Sequence, residues 1–129
     1  MTTATAEKTN TLVNGIDTDQ VISLVTSVAE NEAYGKFRFR ANNQWINGSR
    51  SRTKIQGFFA GGKENSDRKQ ALTVNADQPN FLAGQNTAPN AVEYLLHSLT
   101  SCLNTTLVYH SSVQGIELDE VVVFAEGEM

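Results

Sequence analysis

From Ala91 to Gln114 the chain runs for 24 residues with neither proline nor glycine. At roughly 1.5 Å of rise per residue this is about 36 Å of helix, and a chain this short must be organised around it. Asn90 can act as N-cap, Glu93 three residues later completes a capping box, and Gly115 suits the position after the C-cap. The only cysteine, Cys102, and both histidines, His97 and His110, lie inside this stretch. With Cys102 at 0° and about 100° per residue, Leu95, Leu96, Leu99, Leu103, Val92 and Val113 gather within about 120° on one side. Glu93, Thr100, Asn104, Ser111 and His97 fall on the other. The spacing predicts an amphipathic helix with a thiol near the edge of its buried face, where a lone cysteine is more often a small packed hydrophobe than a reagent.

At 129 residues the chain makes one small domain, and a domain of this size buries about two thirds of its unfolded surface. The net charge of −4 argues against nucleic acid or an anionic membrane as partner. No apolar run approaches the roughly 18 residues that span a bilayer, and no basic region followed by an apolar core opens the chain. A single cysteine excludes an intrachain disulfide and a cysteine-based zinc cluster. A cytoplasmic protein without metal or cofactor is expected.

Residues 1–11 are polar and aperiodic and read as a mobile tail. Asp17 with Gln20 marks a helix start, and Val21, Leu24, Val25 and Val28 give it an apolar stripe, so a helix is expected over 17–31. From Lys36 the period changes to two: Phe37 and Phe39 alternate with Lys36, Arg38 and Arg40, as in a half-buried strand. Asn47-Gly48 signals a two-residue hairpin turn with both residues at positive φ. Strands are expected across 36–76, from about 36 to 41, 49 to 59 and 70 to 76, with 60–69 as a flexible connection. The β-branched run after Gly115 predicts a further strand over 118–126. These strands leave the long helix short of cover.

The segment TAPNAVEYLLHSLTSCLNTTLVYHSSVQGIELDEVVVFAEGE resembles the central part of the OsmC/Ohr family of stress-related proteins, through its Pro-Asn helix start and its Ser-Cys-Leu centre. FRFRANNQWINGSRSRTKIQGFF and VNADQPNFLAG are similar to that family's early strands and to the loop into its helix. The resemblance covers about 35–128. It implies an α+β fold, with antiparallel N-terminal strands packed on a long central helix and completed by an intertwined homodimer. It also implies a C-terminal half that this sequence lacks.

The resemblance further implies a thiol-dependent peroxidase that reduces organic hydroperoxides. Cys102 matches the attacking cysteine, and Arg50 matches the strand arginine that activates it, with Arg52 as the fallback. No resolving cysteine is present, so turnover would need an external thiol. The alternative is a non-catalytic OsmC-like protein that binds a small hydrophobic ligand, with a structural cysteine. Each residue also has a plainer reading. The arginines can solvate a strand face. Glu93 stands nine residues before Cys102, roughly opposite it around the helix, where Val92 fills the family's glutamate position; a capping role is favoured. His97 points about 140° from the thiol, and His110 lies about 12 Å further along, a packed histidine. The two histidines do not form a metal pair, Gly61-Gly62 makes no phosphate cradle, and Phe37, Phe39, Trp45, Phe58 and Phe59 read as packing.

Overall fold

The computed structural model describes residues 12–129, a mixed α+β arrangement of antiparallel strands and two helices. The tail expected over 1–11 lies outside the described residues. β1 (Leu12–Val13) and β2 (Ile16–Asp17) pair across Asn14-Gly15, whose φ values of 51° and 77° are those a tight hairpin needs. Asp17 then caps α1 (Thr18–Glu30), its carboxylate accepting from the Gln20 N–H at 3.0 Å.

β3 (Asn42–Asn47) and β4 (Arg50–Ile55) form an antiparallel hairpin, but its turn is shifted by one residue from the sequence expectation. Asn47 pairs with Arg50, so Gly48 and Ser49 are the central residues and only Gly48 has positive φ, at 58°. That is the pattern of a type II′ turn, and a bulge between Trp45 and Asn47 absorbs the slip. The 60–69 connection is also more ordered than expected. β5 (Phe58–Ala60) and β6 (Lys63–Asn65) make a second hairpin across Gly61-Gly62, both at positive φ. β7 (Leu72–Ala76) completes a three-stranded sheet in the order β3-β4-β7. The expected strand at 36–41 is reduced to one bridge between Arg38 and Phe59.

α2 (Ala91–Val113) carries the full capping box: Glu93 N–H donates to Asn90 Oδ1 at 2.9 Å, and Asn90 N–H to Glu93 Oε1 at 3.1 Å. The strands do not lie along this helix, contrary to the expected packing. The sheet is tied to α2 at its first turns, where Asp77 N–H donates to the Pro89 carbonyl and the Tyr94 hydroxyl to the Asn75 carbonyl. The element that α2 contacts most is α1.

The strand expected over 118–126 is extended in pattern but unpaired. It folds back antiparallel along α2: Asn104 Nδ2 donates to the Val121 carbonyl at 3.4 Å, and Gly127 comes close to Leu96. Val121, Val123 and Ala125 turn inward and are half-buried, while Val122 and Phe124 are 79% and 83% exposed. A period of two with one covered face is strand geometry without a neighbouring strand.

This backtracking segment covers the polar side of α2. The half-buried row on the helix is Leu96, Thr100, Asn104 and Val108, whereas Leu95, Leu99 and Leu103 are 70%, 53% and 51% exposed. Apart from Val92 and Leu96, which are half-buried, the face expected to be buried is therefore the open one. Among the described residues no apolar side chain is fully buried; the buried ones are Thr18, Asp77, Ser111 and Ser112. Apolar burial dominates folding free energy, so a single chain stabilises itself mainly through local hydrogen bonds and partial contacts.

Candidate active site

Cys102 sits at the middle of α2 and is exposed. It is not the small packed hydrophobe that its lone status suggested. Its neighbours on the helix surface are Leu95, Leu99, Leu103 and Thr106, all exposed, and the segment 116–129 lies on the opposite side. The thiol is thus reachable from solvent at the border of a leucine stripe. A thiolate at such a place can attack an electrophile carried by an apolar molecule, given a nearby positive charge to favour ionisation.

The arginines lie on β4. Arg50 opens the strand opposite Asn47 and is half-buried; Arg52 is exposed, and its Nε donates to Asn75 Oδ1 at 3.1 Å. Within one chain no hydrogen bond or ion pair joins either guanidinium to the Cys102 sulfur. The ion pair formed among the described residues is Arg40 with Glu64, at 2.6 Å on the surface. Arg40's hydrogen bonds, ahead of its charge, hold the Glu64 carboxyl below the usual range.

Glu93 is committed to the capping box, as its position opposite the thiol suggested. His97 Nδ1 lies 3.5 Å from Ser101 Oγ, on the far side from Cys102. His110 is exposed rather than packed, and it borders a groove of about 400 Å3 between α1 and α2 lined also by Val21, Val25, Tyr109 and Val113. Among the described residues no three His, Cys, Asp or Glu side chains converge on a metal position. No helix among them is long and apolar enough to cross a membrane.

Two polar anchors escaped the sequence reading. Asp77, 2% exposed, accepts from Ser49 Oγ at 2.5 Å, Thr87 Oγ1 at 2.7 Å, Gln78 N–H at 2.8 Å and Thr87 N–H at 3.0 Å. It binds the β3–β4 turn to the loop that leads into α2, and these bonds, the one from Ser49 foremost, hold its carboxyl far below the ordinary range. The signal was an aspartate just past a strand and two residues before a proline. Asn14 is the second anchor. Its amide donates to Ile116 O at 2.8 Å and Ser112 Oγ at 3.1 Å, and its carbonyl oxygen accepts from Leu118 N–H at 2.9 Å. It fastens the β1–β2 turn to the exit of α2 across a sequence distance that no local pattern reveals.

Compared with known proteins, the chain matches no family model and no curated protein.

Proposed function

We propose that the chain is an OsmC-like protein that works as a homodimer and reduces organic hydroperoxides through Cys102. The observation that carries this reading is the exposed thiol beside the leucine stripe of α2, on the side its own chain leaves uncovered. A second copy laid over that stripe closes an apolar crevice around the sulfur. Arg50, from the strands, is the positive group that activates the thiol.

The chemistry needs no cofactor. The Cys102 thiolate attacks the terminal peroxide oxygen; a sulfur–oxygen bond forms as the oxygen–oxygen bond breaks. The sulfur is oxidised to a sulfenic acid, and the departing alkoxide takes a proton and leaves as an alcohol. An external thiol then attacks the sulfenic sulfur, releasing water and giving a mixed disulfide. A second thiol reduces that disulfide and restores Cys102. The apolar stripe favours organic hydroperoxides over hydrogen peroxide, because the organic group removes its own surface from water on binding.

The test is oxidation with cumene hydroperoxide, followed by dimedone trapping and peptide mass analysis. A dimedone adduct on Cys102 with production of the alcohol is expected, and neither should appear in Cys102→Ser. Absence of the adduct from the wild-type protein overturns the peroxidase reading. The α1–α2 groove favours a second reading, a non-catalytic protein that binds a small hydrophobic ligand there.

A further inference from the structure

The net charge of −4, which argues against nucleic acid for the chain as a whole, averages two unlike parts. Nine of the ten Lys and Arg residues lie between Lys36 and Lys69, where the only acids are Glu64 and Asp67. Within that stretch Lys36-Phe37-Arg38-Phe39-Arg40 alternates cation with aromatic ring, and Phe58 and Phe59 follow on β5. The first two phenylalanines, expected as packing, do not pack: Phe37 and Phe39 are 52% and 67% exposed.

Strand register sorts these residues onto two faces. Arg38 bridges Phe59, and Phe59 stands opposite Glu64, so these three share a face with Arg40. There the Arg38 guanidinium lies 5.9 Å from the Phe59 ring centroid, and Arg40 holds Glu64 in its ion pair. One step along each segment, Phe37, Phe39, Phe58 and Lys63 stand on the other face. Their rings form a row: Phe37 and Phe39 are 6.3 Å apart with planes within 3°, and Phe39 and Phe58 are 5.6 Å apart. Arg68 lays its guanidinium 5.0 Å from the Phe58 centroid, and its Nη1 donates to the Gln56 carbonyl at 3.2 Å. Asp67, the acid that Arg40 does not pair, accepts from Asn65 Nδ2 at 2.9 Å. The ring row is thus accompanied by two cations, Lys63 and Arg68, while Glu64 is turned to the opposite face.

We infer that this row is a binding surface for single-stranded nucleic acid, with bases on the Phe37, Phe39 and Phe58 rings and phosphates at Lys63 and Arg68. Aromatic faces interleaved with cations match a polymer that alternates flat apolar bases with anionic phosphates. A single strand is the fitting form, because a duplex keeps its bases stacked on one another and offers the rings nothing. An anionic bilayer would engage the cations, but its acyl chains gain nothing from a row of ordered ring faces. Two neutralised phosphates correspond to a slope of about −1.4 for log K against log salt, at about 0.7 per phosphate on a single strand. The thiol chemistry of Cys102 uses none of these residues, so this activity stands apart from the peroxidase reading.

Fluorescence anisotropy of short fluorescein-labelled oligothymidylate and oligouridylate, titrated with the full chain from low salt upward, tests it. Saturable binding of either strand with the slope above is expected. Phe39→Ala should weaken it about tenfold, the order of one base–ring stack, and Phe39→Tyr should keep it. Lys63→Gln should reduce the slope by about 0.7. Both side chains are exposed, so neither substitution removes packing from the fold, and far-UV circular dichroism should match the wild type. Binding of neither strand at low salt overturns the inference, as does a Phe39→Ala variant that binds like the wild type. A duplex of the same length bound as tightly as the single strand shows that charge alone acts, and overturns it too. Co-sedimentation with phosphatidylserine vesicles in place of strand binding overturns it in favour of a membrane surface.

Discussion

Leu99→Ala is the most informative single change to the open face of α2. Leu99 is 53% exposed in one chain, so about half of its side chain is available to be buried by a partner. The substitution removes three carbon groups at about 0.8 kcal/mol each when fully buried, and half of that, about 1 kcal/mol, belongs to association. In a two-fold contact the loss occurs twice, about 2 kcal/mol, or on the order of 30-fold in the dimer Kd. Sedimentation equilibrium of the wild type, Leu99→Ala and Ser23→Ala measures this directly, Ser23 being an exposed α1 residue away from the stripe. The control should stay within a few-fold of the wild type. An unchanged Kd for Leu99→Ala, or an equal loss for Ser23→Ala, refutes the argument that the leucine stripe is what a second copy covers.

Two further changes probe the polar anchors and a third the loop that leads into α2. Asp77→Asn should lower the Tm at neutral pH, because an amide cannot accept all four hydrogen bonds that the carboxylate receives. Since the folded carboxyl titrates below its unfolded value of about 3.9, its contribution is complete above that pH and declines as pH falls below it. The gap between wild type and variant, followed by circular dichroism from neutral pH to below 3, should therefore narrow on acidification; a widening gap contradicts the assignment. Asn14→Gly keeps the positive φ but deletes three hydrogen bonds, and limited proteolysis should cut within 116–129 about a hundredfold faster, at about 1 kcal/mol for each bond. A β-carbon at Gly84 would overlap the Gln78 carbonyl, so Gly84→Ala should cost about 1–3 kcal/mol or more in urea unfolding. An unchanged midpoint there would show that the loop yields without cost.

The local devices of this fold are legible in the sequence because each is a short-range hydrogen-bond pattern. The Asp17 and Asn90 caps announce two helices, and Glu93 is identifiable as a capping residue from its distance to Asn90. Gly48 marks one hairpin but not its register, since it can serve either position of a primed turn and the bulge at Ile46 shifts the choice. What periodicity could not supply is the identity of each covering surface. Leu95, Leu99 and Leu103 mark an apolar face, and hydropathy is silent on what covers it. The 118–126 run is strand-like in composition and alternation, yet a strand is completed only by a neighbour. The Asp77 and Asn14 anchors depend on contacts between distant segments, which a one-dimensional reading does not encode. The role of Arg50 rests on the same missing information, because its distance from Cys102 depends on how the strands are laid against a helix.

The central claim is that Cys102 is a peroxide-reducing thiol, and its most direct test is the rate of thiol loss under pseudo-first-order cumene hydroperoxide. Measured beside free cysteine at the same pH, Cys102 should react at least about a hundredfold faster, as positioned and activated nucleophiles do. It should also react faster with cumene hydroperoxide than with hydrogen peroxide. A rate equal to that of free cysteine, with no preference for the organic peroxide, would contradict the account.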